Sequence, residues 1–244
     1  MKTIKCGTVY FPHIEAILFD KNGTLEDSEI YLRSLAQKVS TIMDTQIPGV
    51  GERLLMAFGV NDNYLDPTGL MSVASRRETE VAAAAYIAET GRGWIESLHI
   101  ACKILDEADK SFTKTTAPLF AGGLQILQKL SSTGLKLGIL SAATTQEVQN
   151  FVTNHQLSNY LQLQMGVDKG PSKPDPILFI QACQALGVQP NHTLMVGDSV
   201  ADMQMASNAQ AAGCIGITWI GKPENVAGAD VVIQQLQEIQ VIDS

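Results

Sequence analysis

The sequence predicts an α/β fold: a Rossmann-like, three-layer core built on a parallel sheet, with an α-helical domain inserted into it. Three observations point there. From about residue 118 onward, helix-period segments alternate with short apolar runs, the pattern of right-handed βαβ crossovers. Far upstream, residues 14–19 (IEAILF) form an equally strand-like run that stops at the polar cluster Asp20-Lys21-Asn22-Gly23-Thr24. Between these two regions the periodicity is helical throughout.

Taken in order, Ser28-Glu29-Ile30-Tyr31-Leu32 opens a helix that continues to Met43, and a second runs near 51–58. Two longer helices are expected over 72–89 and 93–108, with no strand among the four. Helix 123–132 then leads to strand 135–140, helix 145–155 to strand 161–167, and helix 176–186 to strand 193–196. Helix 201–211 precedes strand 214–218, and the chain closes with a strand at 230–233 and a short terminal helix. Because run 14–19 has the character of the later strands, it is assigned to the same sheet. That assignment makes residues 1–27 and 114–244 one discontinuous core and residues 28–113 an inserted cap.

The 244 residues carry 17 Lys+Arg against 25 Asp+Glu, a net charge of −8. Such a balance argues against nucleic-acid and polybasic membrane partners, which need clustered positive charge. Cys6, Cys102, Cys183 and Cys214 lie far apart with no C-x-x-C pair, so neither a zinc site nor a disulfide framework is expected. The apolar stretch 81–88 is too short for a bilayer, and the N-terminus shows no signal-peptide pattern, which predicts a cytoplasmic location.

In doubly wound sheets ligands bind outside the carboxyl ends of the strands, so the residues following each strand are the ones to inspect. Asp20 to Leu25 follow the first strand and Ser141-Ala142 the strand 135–140. Lys173-Pro174-Asp175 precede helix 176–186, with Pro174 suited to a helix start, and Gly197-Asp198-Ser199-Val200-Ala201-Asp202 follow strand 193–196. A carboxylate, a hydroxyl, a lysine and a carboxylate pair suit phosphoryl transfer. Asp20 can attack phosphorus, and Asp20, Asp198 and Asp202 offer hard oxygen ligands for Mg²⁺. Lys173 can offset the crowded anions, and Ser141 with helix N-terminal N–H groups can bind phosphate oxygens.

On these four motifs, in this order, the chain resembles the haloacid dehalogenase superfamily, closest to its phosphatase branch with a helical cap inserted after the first motif. The resemblance implies a Mg²⁺-dependent phosphatase forming an aspartyl phosphate on Asp20, working as a monomer or homodimer on a small phosphate ester, with phosphoglycolate the analogy. It implies a metal site of Asp20, Asn22 (through its backbone carbonyl), Asp198 and Asp202. Gly23, Thr24, Ser141, Ala142 and Lys173 are then the phosphate-binding positions, although the family often has Asn where this chain has Ala142.

One departure stands out. The family's phosphatases have a second Asp two residues after the nucleophile, acting as general acid and base, where this chain has Asn22. An amide hydrogen-bonds but transfers no proton near pH 7, a loss of roughly 10²- to 10⁴-fold in rate. The departure leaves open an Asp-to-Asn change, a slow phosphatase, or a phosphate binder with vestigial catalysis. A dehalogenase or phosphonatase is the alternative within the superfamily. Asn22-Gly23 is also a pair prone to deamidation. In the cap, Arg76 and Arg77 can meet a second anionic group on the substrate. Hinges are expected at 25–28 and 112–118.

Overall fold

The computed structural model describes residues 1–112, 117–219 and 223–242. At its centre lies β3 (Ala16–Phe19), flanked on one side by β6 (Lys136–Leu140) and then β7 (Leu163–Met165). On the other side follow β8 (Thr193–Gly197), β9 (Gly213–Ile217) and β10 (Val231–Ile233), all six strands being parallel. Ile17 pairs with Leu137 and with Leu194, so β3 is covered along both edges.

Strand side chains alternate between faces, and each face of β3 feeds a different hydrophobic layer. Ile17 and Phe19 pack with α6 (Gly123–Ser132) and α7 (Thr145–Asn154), through Ile126, Leu127, Leu130, Val148, Phe151 and Val152. Ala16 and Leu18 pack with α8 (Pro176–Leu186) and α9 (Val200–Asn208), through Leu178, Phe179, Ala182, Met203 and Ala206. All four β3 residues are fully buried, which is why the run reads as continuously apolar rather than alternating.

The strand β3 is shorter than the 14–19 run because Ile14 belongs to a separate antiparallel sheet. That sheet, in the order β11-β1-β2, comprises β1 (Lys2–Cys6), β2 (Val9–Ile14) and β11 (Ile239–Ile242). Pro12 is tolerated in β2 because β2 is an edge strand. The expected terminal helix is instead a single 3₁₀ turn, Leu236–Glu238, running into β11. Pairing with β1, more than 230 residues upstream, overrides the local preference.

The chain divides into two compact units, residues 1–27 with 118–244 and residues 28–117. The second contains α1 (Glu29–Gln46), α2 (Gly51–Ala57), α3 (Leu70–Val73), α4 (Arg76–Ala88) and α5 (Trp94–Lys110) around its own apolar core. A capping box of Ser75 and Glu78 starts α4. The expectation of helices alone fails at one place, a hairpin of β4 (Val60–Asn61) and β5 (Tyr64–Leu65). Its turn needs a positive φ, supplied by Asp62 at +51°. Of the two hinges expected from sequence, Leu25 and Asp27 are held by a ladder to the returning chain: Asp27 N donates to Pro118 O and Phe120 N to Leu25 O. Residues 113–116 of the other lie outside the described residues.

Among the described residues no helix is long and apolar enough to cross a membrane. The four cysteines are free; burial pushes the Cys6 and Cys214 thiols up to about 12, which leaves them protonated and unreactive.

Ile17 is fully buried in the central strand, and Ile17→Ala is expected to cost about 3 kcal/mol through lost burial and the residual cavity. Urea denaturation of both proteins checks it, as a lowered midpoint with an unchanged slope.

Candidate active site

The loop after β3 is a tight turn closed on itself. Asp20 N still donates to Val196 O at 2.9 Å, so the residue leaves the sheet in a fixed direction. Lys21 O then accepts from the N–H groups of Leu25 and Glu26, at 3.0 and 2.8 Å, and from Thr24 N at 3.4 Å. Gly23 N donates to Glu26 O at 2.9 Å. Inside the turn the Lys21 ammonium pairs with the Glu26 carboxylate, both buried, and lies 5.6 Å from the centre of the Phe151 ring.

Gly23 adopts φ +74°, and a Cβ there would sit 2.0 Å from Asp198 Oδ2. The glycine is therefore required twice, by its backbone and by the carboxylate resting against it. Thr24 is fully buried and donates through Oγ1 to Asp198 Oδ1 at 3.2 Å. Gly23 and Thr24 thus shape the loop, their own N–H groups being committed within it.

Asp198 follows β8, and Ser199 begins α9 with a capping box. Asp202 Oδ2 accepts from Ser199 Oγ at 2.6 Å and from Ser199 N at 3.3 Å, while Asp202 N donates to Ser199 Oγ. A Cβ on Gly197 would lie 2.4 Å from Asp202 Cγ, so the strand end is a glycine to admit that carboxylate. Asp202 itself is fully buried.

Lys173 joins the two loops. Its Nζ lies 2.7 Å from Asp20 Oδ1 and 2.6 Å from Asp202 Oδ1. Both oxygens are buried against that ammonium, and Asn22 Oδ1 is buried without a hydrogen-bond partner. Burial alone would lower the Lys173 pKa, but Asp20 and Asp202 together raise it, so the ammonium stays charged. Asp175 N-caps α8 by accepting from Ile177 N, and Pro176 occupies the first turn. The sequence-based placement of Pro174 in that turn is corrected accordingly.

Asp20, Asp198 and Asp202 bring one carboxylate oxygen each within 4.8 Å of one another, the one such cluster among the described residues. Burial raises the pKa of Asp198 well above the usual carboxylate range, with the charges of Asp20 and Asp202 adding to it. Asp20 is raised by burial and by Asp202, against the opposing pull of Lys173. Three acids around a single lysine leave more carboxylate charge than one ammonium balances, a donor set that fits a hard divalent cation.

Ser141 follows β6, buried, with its N–H on Met165 O at 3.0 Å. Its Oγ accepts from Ala143 N at 3.2 Å, which leaves its own O–H free to donate. Ala142 lies between them, and α7 begins at once behind a Thr144–Glu147 capping box. Deamidation at Asn22 requires Gly23 N to attack the Asn22 amide carbon; the Glu26 hydrogen bond and the Asp198 contact oppose the necessary rotation.

Arg76 does not present a free anion-binding edge. Nε contacts Glu80, Nη1 Asp109 and Nη2 Asp106, which ties α4 to α5, and these carboxylates raise its pKa despite burial. Arg77 pairs with Glu80 at 3.2 Å and is otherwise exposed. Sequence reasoning missed Trp219, whose indole Nε1–H donates to Gly23 O at 3.1 Å and whose ring stacks on Phe120. Its place just past strand 214–218 is the signal that could have found it.

A Rossmann-like core that gathers Asp20, Ser141, Lys173 and an Asp198/Asp202 pair at its strand ends has the layout of a hydrolase that works through a carboxylate. The sequence model for haloacid dehalogenase-like hydrolases matches residues 76–215, over half the chain, and the chain belongs to that family. It is 26% identical over 238 residues to the phosphoglycolate phosphatase of Shigella dysenteriae serotype 1, covering 94% of this chain and 92% of that protein. The phosphoglycolate phosphatase of Escherichia coli K12 is 25% identical over the same coverage. Among solved structures, a haloacid dehalogenase-like family hydrolase from Streptococcus pneumoniae shares the fold with a TM-score of 0.65 at 21% identity, over 93% of this chain and 96% of that one. A β-phosphoglucomutase from Clostridium difficile does so at 0.65 and 18%, covering 93% of each.

Gly23→Ala is expected to destabilise by clearly more than Gly49→Ala. Both glycines have positive φ, worth about 1 to 2 kcal/mol, but the site at Gly49 is open whereas that at Gly23 is filled by Asp198. Paired urea titrations of the two variants make the comparison.

Proposed function

We propose that the protein is a Mg²⁺-dependent phosphomonoesterase acting on a small phosphorylated metabolite, with phosphoglycolate the first candidate from the names of its relatives. The observation that carries this reading is the contact of Lys173 with both Asp20 and Asp202, beside Asp198. Asp20 attacks phosphorus and the ester oxygen departs, leaving an aspartyl phosphate that water then opens. Lys173 holds the Asp20 carboxylate and balances charge as the phosphate arrives. Ser141 O–H and the N–H groups leading into α7, beginning at Ala142, bind phosphate oxygens.

Asp20, Asp198 and the Asn22 backbone carbonyl would hold Mg²⁺, with Asp202 reaching it through water and orienting Lys173. Bound Mg²⁺ would shield the two approaching anions from each other. Residues 28–117, the inserted helical unit, supply the substrate selectivity in this reading. Arg77 is the cap arginine left to meet a second anionic group.

Asn22 favours a specific version of this reading. Its amide can hydrogen-bond to the departing oxygen but supplies no proton to it and takes none from water. Hydrolysis of the aspartyl phosphate is then slower than its formation.

With an activated phosphate and Mg²⁺, intact-protein mass spectrometry is expected to show one phosphoryl group retained, absent in Asp20→Asn. Asn22→Asp is expected to raise p-nitrophenyl phosphate turnover by roughly 10²- to 10⁴-fold. An inactive Asn22→Asp protein overturns the assignment of the site. Retention of the fold with neither adduct nor turnover in the unaltered chain leaves a phosphate-binding protein.

A further inference from the structure

We propose that Trp219 is a positioning residue for Asp198, acting through the Gly23 carbonyl; this rests on the reading of Asp198 as a metal ligand. Trp219 stands two residues past β9, at the same end of the sheet as the loops after β3 and β8. Its indole N–H donates to Gly23 O at 3.1 Å. The ring stacks on Phe120 with centroids 4.2 Å apart and planes 13° apart, and Phe120 N donates to Leu25 O at 2.9 Å. The donor is therefore seated by the same loop that it holds.

Gly23 O and Thr24 N belong to one planar peptide. Fixing that oxygen fixes the plane, and with it two surfaces that bear on Asp198. Gly23 Cα forms the wall against Asp198 Oδ2, where not even a methyl group fits, and Thr24 Oγ1 donates to Asp198 Oδ1 at 3.2 Å. One oxygen of the carboxylate is thus held by a donor and the other confined by the close backbone. Removing the indole N–H leaves the Gly23 carbonyl without that donor; the hydrogen bonds of Gly23 N and Thr24 N still close the loop, but the peptide plane can tilt, which shifts both the wall and the Thr24 hydroxyl relative to Asp198. Loss of a group that orients a metal's ligands from behind typically costs about 10- to 100-fold in metal affinity.

Trp219→Phe keeps the stack and removes only the N–H. Its Kd for Mn²⁺, measured on the full chain by electron paramagnetic resonance, is expected to rise about 10-fold, with the thermal midpoint of the metal-free protein nearly unchanged. Phe120→Leu, which keeps the N–H, is expected to lower the midpoint and retain most of the Mn²⁺ affinity. A measurement without substitution at the site runs alongside. The chain has two tryptophans, so ¹⁵N-indole spectra with Trp94→Phe identify the Trp219 signal, which is expected to shift on Mg²⁺ addition. Mn²⁺ affinity unchanged in folded Trp219→Phe, an equal loss in both variants, or an unmoved Trp219 signal while Mg²⁺ binds by calorimetry overturns this proposal alone. Absence of Mn²⁺ binding to the unaltered protein overturns the metal reading and this proposal with it.

Discussion

The ammonium of Lys173, set between Asp20 and Asp202, is the interaction on which the rest of the site depends. Three carboxylates are drawn together at the strand ends, Asp20 and Asp202 buried, where like charges repel strongly and desolvation disfavours the ionised forms. One lysine offsets part of that charge. The remainder shows in the raised pKa of Asp198. A buried cluster of this kind adds little to stability. It persists because the surrounding chain holds each acid in place.

The holding is done by small residues and caps rather than by further charge. Glycine at 23 and at 197 makes room for Asp198 and Asp202, respectively. The α9 capping box turns one oxygen of Asp202 toward Ser199 and leaves the other facing Lys173. The Lys21–Glu26 pair closes the Asp20 loop from inside, and Trp219 closes it from the neighbouring strand end. These devices connect loops that follow β3, β8 and β9, which are adjacent in the sheet. The sheet order, with β3 between β6 and β8, places the loop bearing Asp20 between those bearing Ser141 and Asp198. It is the switch point at which such sheets bind ligands.

Much of this was legible beforehand. Helices α6 and α8 fall where their periodicity and flanking residues put them, and the parallel strands follow from short apolar runs at βαβ spacing. Asp20, Ser141, Lys173, Asp198 and Asp202 were visible because each stands beside a strand end or helix start that could be located locally. The hairpins and β11 were not, since a two-residue strand or an unremarkable IQVI segment becomes a strand only when its partner arrives. Arg76 looked available because sequence shows Glu80 one turn on, but not Asp106 and Asp109 folding back from the next helix. The acceptor of the Thr24 hydroxyl was hidden for the same reason, lying 174 residues away.

The sequence by itself determined the layer architecture, the inserted helical segment and the residue types available at each strand end. Those depend on local periodicity, on turn residues and on the chemistry of single side chains. Only the tertiary structure decided which groups are committed to one another: Lys173 to two acids, Thr24 and Gly23 to Asp198, Asp175 to a helix cap, Arg76 to a helix pair, Trp219 to the loop after β3. Hydrogen bonding and ion pairing saturate over a few ångströms. A side chain's part in the site is therefore settled by the neighbours that folding brings to it.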